Sequence, residues 1–117
     1  MKNTKRAADV NAEDYDAIYF TGGHGVMFDF CGDALGALTA RFYETGRVVS
    51  AVCHGPAGLL NVPLSSGDPL VKGKNVTGFS WPEEEAVAVG TPQVGCPCYG
   101  GEKLKSSSLL ARIHSLL

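Results

Sequence analysis

Two short apolar runs, each ending in a glycine-rich turn and separated by one amphipathic segment, constrain this chain more than any other feature. The first is Asp16-Ala17-Ile18-Tyr19-Phe20-Thr21, which stops at Gly22-Gly23-His24-Gly25. The second is Val48-Val49-Ser50-Ala51-Val52, which stops at Cys53-His54-Gly55-Pro56. Runs of this length, rich in β-branched and aromatic residues and closed by glycine, read as buried strands. Between them Leu35, Leu38, Phe42 and Tyr43 recur at helical spacing, Asp33 stands where a cap is expected, and Gly46 follows as a stop. The spacing predicts a helix over 34–44.

The pattern continues beyond the second run. A further helix is expected from Gly55-Pro56 through Ala57, Leu59 and Leu60, since proline suits the first helical turn. Pro63 and Ser65-Ser66-Gly67-Asp68-Pro69 then mark a loop. Lys74-Asn75-Val76-Thr77-Gly78-Phe79 reads as a third strand, and Glu83 to Val89 as one or two helical turns. Alternation of strand and helix predicts an α/β fold with a parallel sheet. Ligands of such sheets gather beyond the carboxyl ends of the strands. Gly22 to Gly25, Cys53-His54 and the stretch after Phe79 should therefore meet at one sheet edge.

Ala51-Val52-Cys53-His54-Gly55 has the form small-x-nucleophile-x-small. A nucleophile elbow needs that form, because the strand-to-helix turn is so tight that residues two before and two after the nucleophile must be small. Its nucleophile sits in strained backbone and points out of the sheet edge. A helix N-terminus beside a cysteine also favours thiolate over thiol, and backbone N–H groups after Cys53, joined by those of Gly22-Gly23, are placed to hold an oxyanion. The competing reading is a core strand that ends in cysteine, a residue type often buried. Ala51, Gly55, His54 and the Gly-Gly turn together favour the elbow. His24 reads either as a solvent-facing turn residue or as part of that site. Cys31 reads as packing, and Glu83-Glu84-Glu85 by itself as a solvated helix start.

Composition narrows the classes. The 117 residues suit one small domain. A net charge of −2 without a basic block points away from nucleic acid and from an anionic membrane as partners. No apolar run approaches the roughly 20 residues that span a bilayer. The charged start Lys2-Asn3-Thr4-Lys5-Arg6 leads into no apolar h-region, so the chain reads as cytoplasmic, with Cys31, Cys53, Cys96 and Cys98 as free thiols. Cys96-Pro97-Cys98 with His114 falls short of a four-ligand zinc set, and no metal is expected.

The segments "DYDAIYFTGGHG", "RVVSAVCHGPAGLL" and "LVKGKNVTGFSWPEEE" together resemble the ThiJ/PfpI superfamily, and within it the heat-shock chaperone and glyoxalase III-type branch. The resemblance covers about residues 9 to 90. It implies a class I glutamine-amidotransferase-like, flavodoxin-like three-layer sandwich. It makes Cys53 the nucleophile and His54 its acid/base partner. An acidic residue after the third strand would orient that histidine; Glu84 is the favoured candidate, with Glu83 next. Gly23 and His54 would supply oxyanion N–H groups within a substrate-binding edge of Gly22, Gly23 and His24. The implied activity is cofactor-free conversion of methylglyoxal, a small 2-oxoaldehyde, to D-lactate, with chaperone or deglycation roles under carbonyl stress. Two alternatives stand beside it. One is a non-catalytic stress or redox-responsive protein; the other, weaker, is a glutamine amidotransferase, which pairs its elbow cysteine with a distant histidine.

The chain also departs from that family. An earlier strand-helix unit supplies family members with a further glutamate near the cysteine, and Glu13 precedes its strand and so belongs at the wrong sheet edge. Residues 91–117 shift to Pro, Gly, Ser and Cys and then to an apolar stripe of Leu109, Leu110, Ile113, Leu116 and Leu117. The expectation is a partial domain over 1–90 and a divergent tail over 91–117, as in a piece of a longer enzyme. So few strands leave sheet edges bare, which favours association, for instance as a homodimer.

Overall fold

The computed structural model describes residues 3–79 together with Glu83 and Ala86. Strand β1 is Ala17–Phe20 and strand β2 is Val48–Ala51. They pair in parallel, with Ala17 opposite Val48 and Phe20 opposite Ala51. Between them run a single turn of helix, α1 (Val26–Asp29), and the longer α2 (Asp33–Glu44). This is the expected strand-helix-strand crossover, part of a flavodoxin-like α/β layer.

In a parallel pair, residues that face each other share a sheet face. Ile18, Phe20, Val49 and Ala51 occupy one face and pack into the core. Leu38 and Phe42 of α2 meet that face at Ile18 and Val49, with Ala12 beside them. Phe20 joins Leu59, Val62, Leu70 and Val71 in the larger cluster, and its ring meets Phe30 edge-on at 5.3 Å between centroids. Burial of each such large side chain contributes about 1.5–3 kcal/mol. Thr39 is fully buried within α2 and donates its hydroxyl to the Leu35 carbonyl at 2.7 Å, so its polar group is satisfied. The other sheet face carries Ala17, Tyr19 and Val48 and is open: Tyr19 is 58% and Val48 61% exposed.

Three expectations need correction. The N-cap of α2 is Gly32, and no side chain caps it; Asp33 is instead the first helical residue, where its charge suits the helix dipole. The segment after Cys53-His54 forms a 3₁₀ helix, Gly55–Leu59. Glycine and proline are the weakest α-formers, and Pro63 biases Val62 away from helical backbone, so no α-helix can propagate. The third strand is absent: among the described residues the sheet has two strands, and 74–79 joins no ladder. A strand is a row of backbone bonds, whereas this segment leaves a turn at Gly73 (φ +70°) and bonds at its far end, where Phe79 N–H donates to the Cys53 carbonyl at 2.9 Å. The helix expected over 83–89 lies outside the described residues except for Glu83 and Ala86, both helical and exposed. The tail expected over 91–117, with Cys96, Cys98 and His114, lies wholly outside them. No helix among the described residues is long and apolar enough to cross a membrane.

Candidate active site at the elbow

The two strands end side by side, so their following turns are neighbours. Val52 N–H extends the ladder by one bond to the Phe20 carbonyl at 3.1 Å. The chain then reverses: Gly55 N–H donates to the Val52 carbonyl at 2.8 Å, closing a turn over Cys53 and His54. Cys53 has φ +57°, left-handed backbone that L-residues other than glycine, asparagine and aspartate rarely adopt. This is the strained elbow expected from Ala51 and Gly55, and it rules out a strand that simply stops at a buried cysteine.

The elbow's small residues are required for reasons that can be named. A Cβ on Gly55 would overlap the Phe20 carbonyl oxygen and lie 3.2 Å from Phe20 Cβ. A Cβ on Gly22 would lie 2.6 Å from Cys53 Cβ and 3.1 Å from its sulfur. A Cβ on Gly58 would lie 2.5 Å from the Phe20 ring. All three glycines stand in the quoted motifs, but the elbow spacing singles out only Gly55; what makes Gly58 necessary is a ring 38 positions back along the chain.

The cysteine and its neighbouring histidine lie within reach of each other. Cys53 Sγ, half-buried, lies 3.2 Å from His54 Nδ1. His54 is buried, only 3% exposed. Two rings lie against its imidazole: His24 at 4.6 Å between centroids with planes tilted by 47°, and Phe79 at 4.6 Å with a 33° tilt. His24 is thus a half-buried neighbour of His54 and not a solvent-facing turn residue. Gly22 packs on Cys53, and Gly23 follows at φ +113°. In sequence Phe79 reads only as the end of a strand, and no local signal in its segment marks its ring as part of this site.

Glu13 lies in a 3₁₀ turn, Ala12–Asp14, that precedes β1, at the sheet end away from Cys53. Glu84 lies outside the described residues, while its neighbour Glu83 is exposed. Cys31 is half-buried, with its sulfur 3.8 Å from the Phe28 carbonyl. The helix that follows the cysteine is five residues of 3₁₀, so the dipole it offers is a fraction of that of the α-helix expected there. The His54 imidazole, with Nδ1 3.2 Å from the sulfur, is a polar group in direct reach of the thiol. Among the described residues no group of three His, Cys, Asp or Glu side chains is arranged around a metal position.

Residues 1–109 match the DJ-1/PfpI family. The chain belongs to that family. Glyoxalase 3 of Candida albicans is 44% identical over 92 residues, covering 76% of this chain and 39% of that protein. A probable glutathione-independent glyoxalase of Schizosaccharomyces pombe is 44% identical over 81 residues, covering 68% of this chain and 36% of the relative. Among solved structures, glyoxalase III from Candida albicans superposes with a TM-score of 0.67 at 41% identity, over 72% of this chain and 36% of that one. The Francisella tularensis Rapid Encystment Protein of 24 kDa gives a TM-score of 0.70 at 43% identity, over 75% and 40%. The chain therefore spans about two fifths of the length of these relatives. For this DJ-1/PfpI chain the reading of an incomplete flavodoxin-like α/β fold and the glyoxalase III-type likeness of its motifs both hold.

Proposed function

We propose that this chain carries the nucleophile centre of a glutathione-independent, cofactor-free glyoxalase, which converts a small 2-oxoaldehyde such as methylglyoxal to the corresponding 2-hydroxy acid, D-lactate. The observation that supports it best is the Cys53–His54 pair: a thiol on left-handed backbone with an imidazole nitrogen 3.2 Å from its sulfur. Relatives at 44% identity that bear the name glyoxalase support the substrate class.

The chemistry follows from these atoms. With Nδ1 unprotonated, the Cys53 thiol donates to it and passes its proton across; the imidazolium then donates back to the thiolate. The thiolate attacks the aldehyde carbon, forming a C–S bond, and the carbonyl π electrons go to oxygen, which takes up a proton as the hemithioacetal. Backbone N–H groups of Gly23 and His54 are the proposed donors to that oxygen while it bears charge. A base removes the proton from the former aldehyde carbon, giving an enediol. Reprotonation at the neighbouring carbon gives a thioester, so the aldehyde carbon is oxidised and the ketone carbon reduced with no external electron carrier. Water cleaves the thioester and restores the thiol. Proton transfer by a positioned side chain typically contributes 10²–10⁴-fold. His54 is the proposed carrier, Glu84 its orienting carboxylate, and Gly22 and His24 the wall of the substrate edge.

The test is D-lactate formation from methylglyoxal without glutathione. Turnover that is lost in Cys53→Ala supports the reading; equal turnover in that variant eliminates Cys53 as nucleophile.

The open sheet face favours a second reading, a stress protein that binds unfolded clients or a second copy of itself. Parallel sheets are ordinarily covered on both faces, and Tyr19 and Val48 are exposed here. Suppression of client aggregation that survives Cys53→Ala and fails in Val48→Lys, with no turnover in any form, would favour that reading.

A further inference from the structure

We infer that Phe79 is the positioning residue of the Cys53–His54 pair: its ring confines the His54 imidazole while its backbone N–H holds the strained Cys53 peptide. The inference concerns the same centre as the proposed function, but it requires only that Cys53 and His54 act on each other, not that the substrate is a 2-oxoaldehyde.

Two independent contacts carry it. Phe79 N–H donates to the Cys53 carbonyl at 2.9 Å, so the peptide leaving the left-handed residue is tied from outside the elbow. Without such a tie nothing on the elbow itself holds that carbonyl: the turn's own bond runs from Gly55 N–H to Val52, one residue earlier. The second contact is the ring, 4.6 Å from the His54 ring centroid. The terminal torsion of a histidine is broad and roughly two-fold. A half-turn about it would replace Nδ1 by a carbon opposite the sulfur and break the 3.2 Å approach. His54 is 3% exposed and has His24 against it as well, so its ring has little volume in which to turn. Removing the Phe79 ring opens that volume on one side and leaves the backbone N–H in place.

This also gives the irregular segment 74–79 a purpose that ladder pairing would not serve. A third strand would spend its N–H and C=O groups on a neighbouring strand. Here residue 79 spends one on the nucleophile's own peptide.

The experiment compares Phe79→Leu, Phe79→Met and Phe79→Tyr in the full chain, with His54→Ala as the reference for an unassisted thiol. The readout is the rate at which iodoacetamide modifies Cys53 as a function of pH, resolved from the other three cysteines by peptide mass spectrometry; thermal midpoints are recorded alongside. Leucine and methionine should slow modification of Cys53 at neutral pH by about 10-fold, a small part of what a positioned proton acceptor supplies, and should move the pH profile onto that of His54→Ala. Tyrosine, which keeps the ring, should stay within about 2-fold of the parent. Loss of thermal midpoint in Phe79→Leu with an unmoved rate and profile would overturn the inference, as would equal rates for leucine and tyrosine. If leucine does not fold, the methionine variant, close in volume to leucine and more adaptable, decides in the same way; if neither folds, Phe79→Tyr with a profile matching His54→Ala overturns it. Methylglyoxal turnover is measured separately: its absence in the parent would count against the glyoxalase reading and leave the alkylation result standing.

Discussion

Phe20 and Gly55 meet backbone to backbone, so closely that any side chain at residue 55 would overlap the Phe20 carbonyl oxygen. The same oxygen accepts the Val52 N–H that closes the ladder between the two strands. One carbonyl thus fixes the end of the sheet and the path of the elbow that follows it.

Gly55→Ala should accordingly destabilise the chain by about 3 kcal/mol or more, since backbone, not a flexible side chain, must give way. Gly25→Ala is the control: a Cβ there meets nothing within 4 Å, and its φ of −59° suits alanine. The check is the denaturation midpoint in urea, and similar losses for the two variants would contradict the account.

Gly22→Ala should act on the site more than on the fold. The added methyl would lie 2.6 Å from Cys53 Cβ, 3.1 Å from its sulfur and 3.2 Å from the Val52 carbonyl oxygen, so the elbow that carries the thiol must itself shift, whereas Gly55→Ala drives the elbow against the end of β1 at the Phe20 carbonyl. We expect iodoacetamide modification of Cys53 to change by about 10-fold, as for a displaced reacting atom, with a loss of stability smaller than that of Gly55→Ala.

Backbone strain at Cys53 should be visible as stability. Cys53→Gly relieves φ +57° and should be more stable than Cys53→Ala by about 1 kcal/mol, because only glycine enters this region freely. Both variants lack the thiol and should produce no D-lactate. Equal urea midpoints would mean that the elbow stores no strain.

Glu44 gives a pH dependence with a definite sign. Its Oε1 accepts the Ser65 N–H, which fastens the end of α2 to the following loop and holds the carboxyl below its ordinary value of 4.5. A carboxyl that is more acidic when folded stabilises above its unfolded value and loses that contribution as pH falls through the folded one. Glu44→Gln should therefore flatten the fall in thermal midpoint below about pH 4.5 and change little at neutral pH, with a small effect throughout because the group is exposed.

The site was more legible than the fold around it. Val49 and Ala51 mark a strand, and Ala51 and Gly55 flank a cysteine at elbow spacing, so the reversal at Cys53 could be read without coordinates. The demand is local: a turn that tight admits only small neighbours, and the residues that meet it are two positions away. His54 is likewise adjacent in the chain, and its approach to the sulfur needs no long-range contact to be foreseen. The end of α2 follows from Gly46, again a local requirement, at φ +76°.

What the residues alone determined, then, is the pair of parallel strands with a helix between, and a cysteine and histidine at their common end. Tertiary structure decided the rest, because it depends on partners far apart in sequence. Whether Lys74 to Phe79 pairs as a strand turns on what lies beside it, and its terminal bond goes to Cys53 instead of to a ladder. Gly58 is needed only because the Phe20 ring arrives above it. His24 and Phe79, ambiguous as letters, acquire a role only when the fold brings both rings against His54. Short-range sterics can be read in order along a chain; the company a side chain keeps is set by folding.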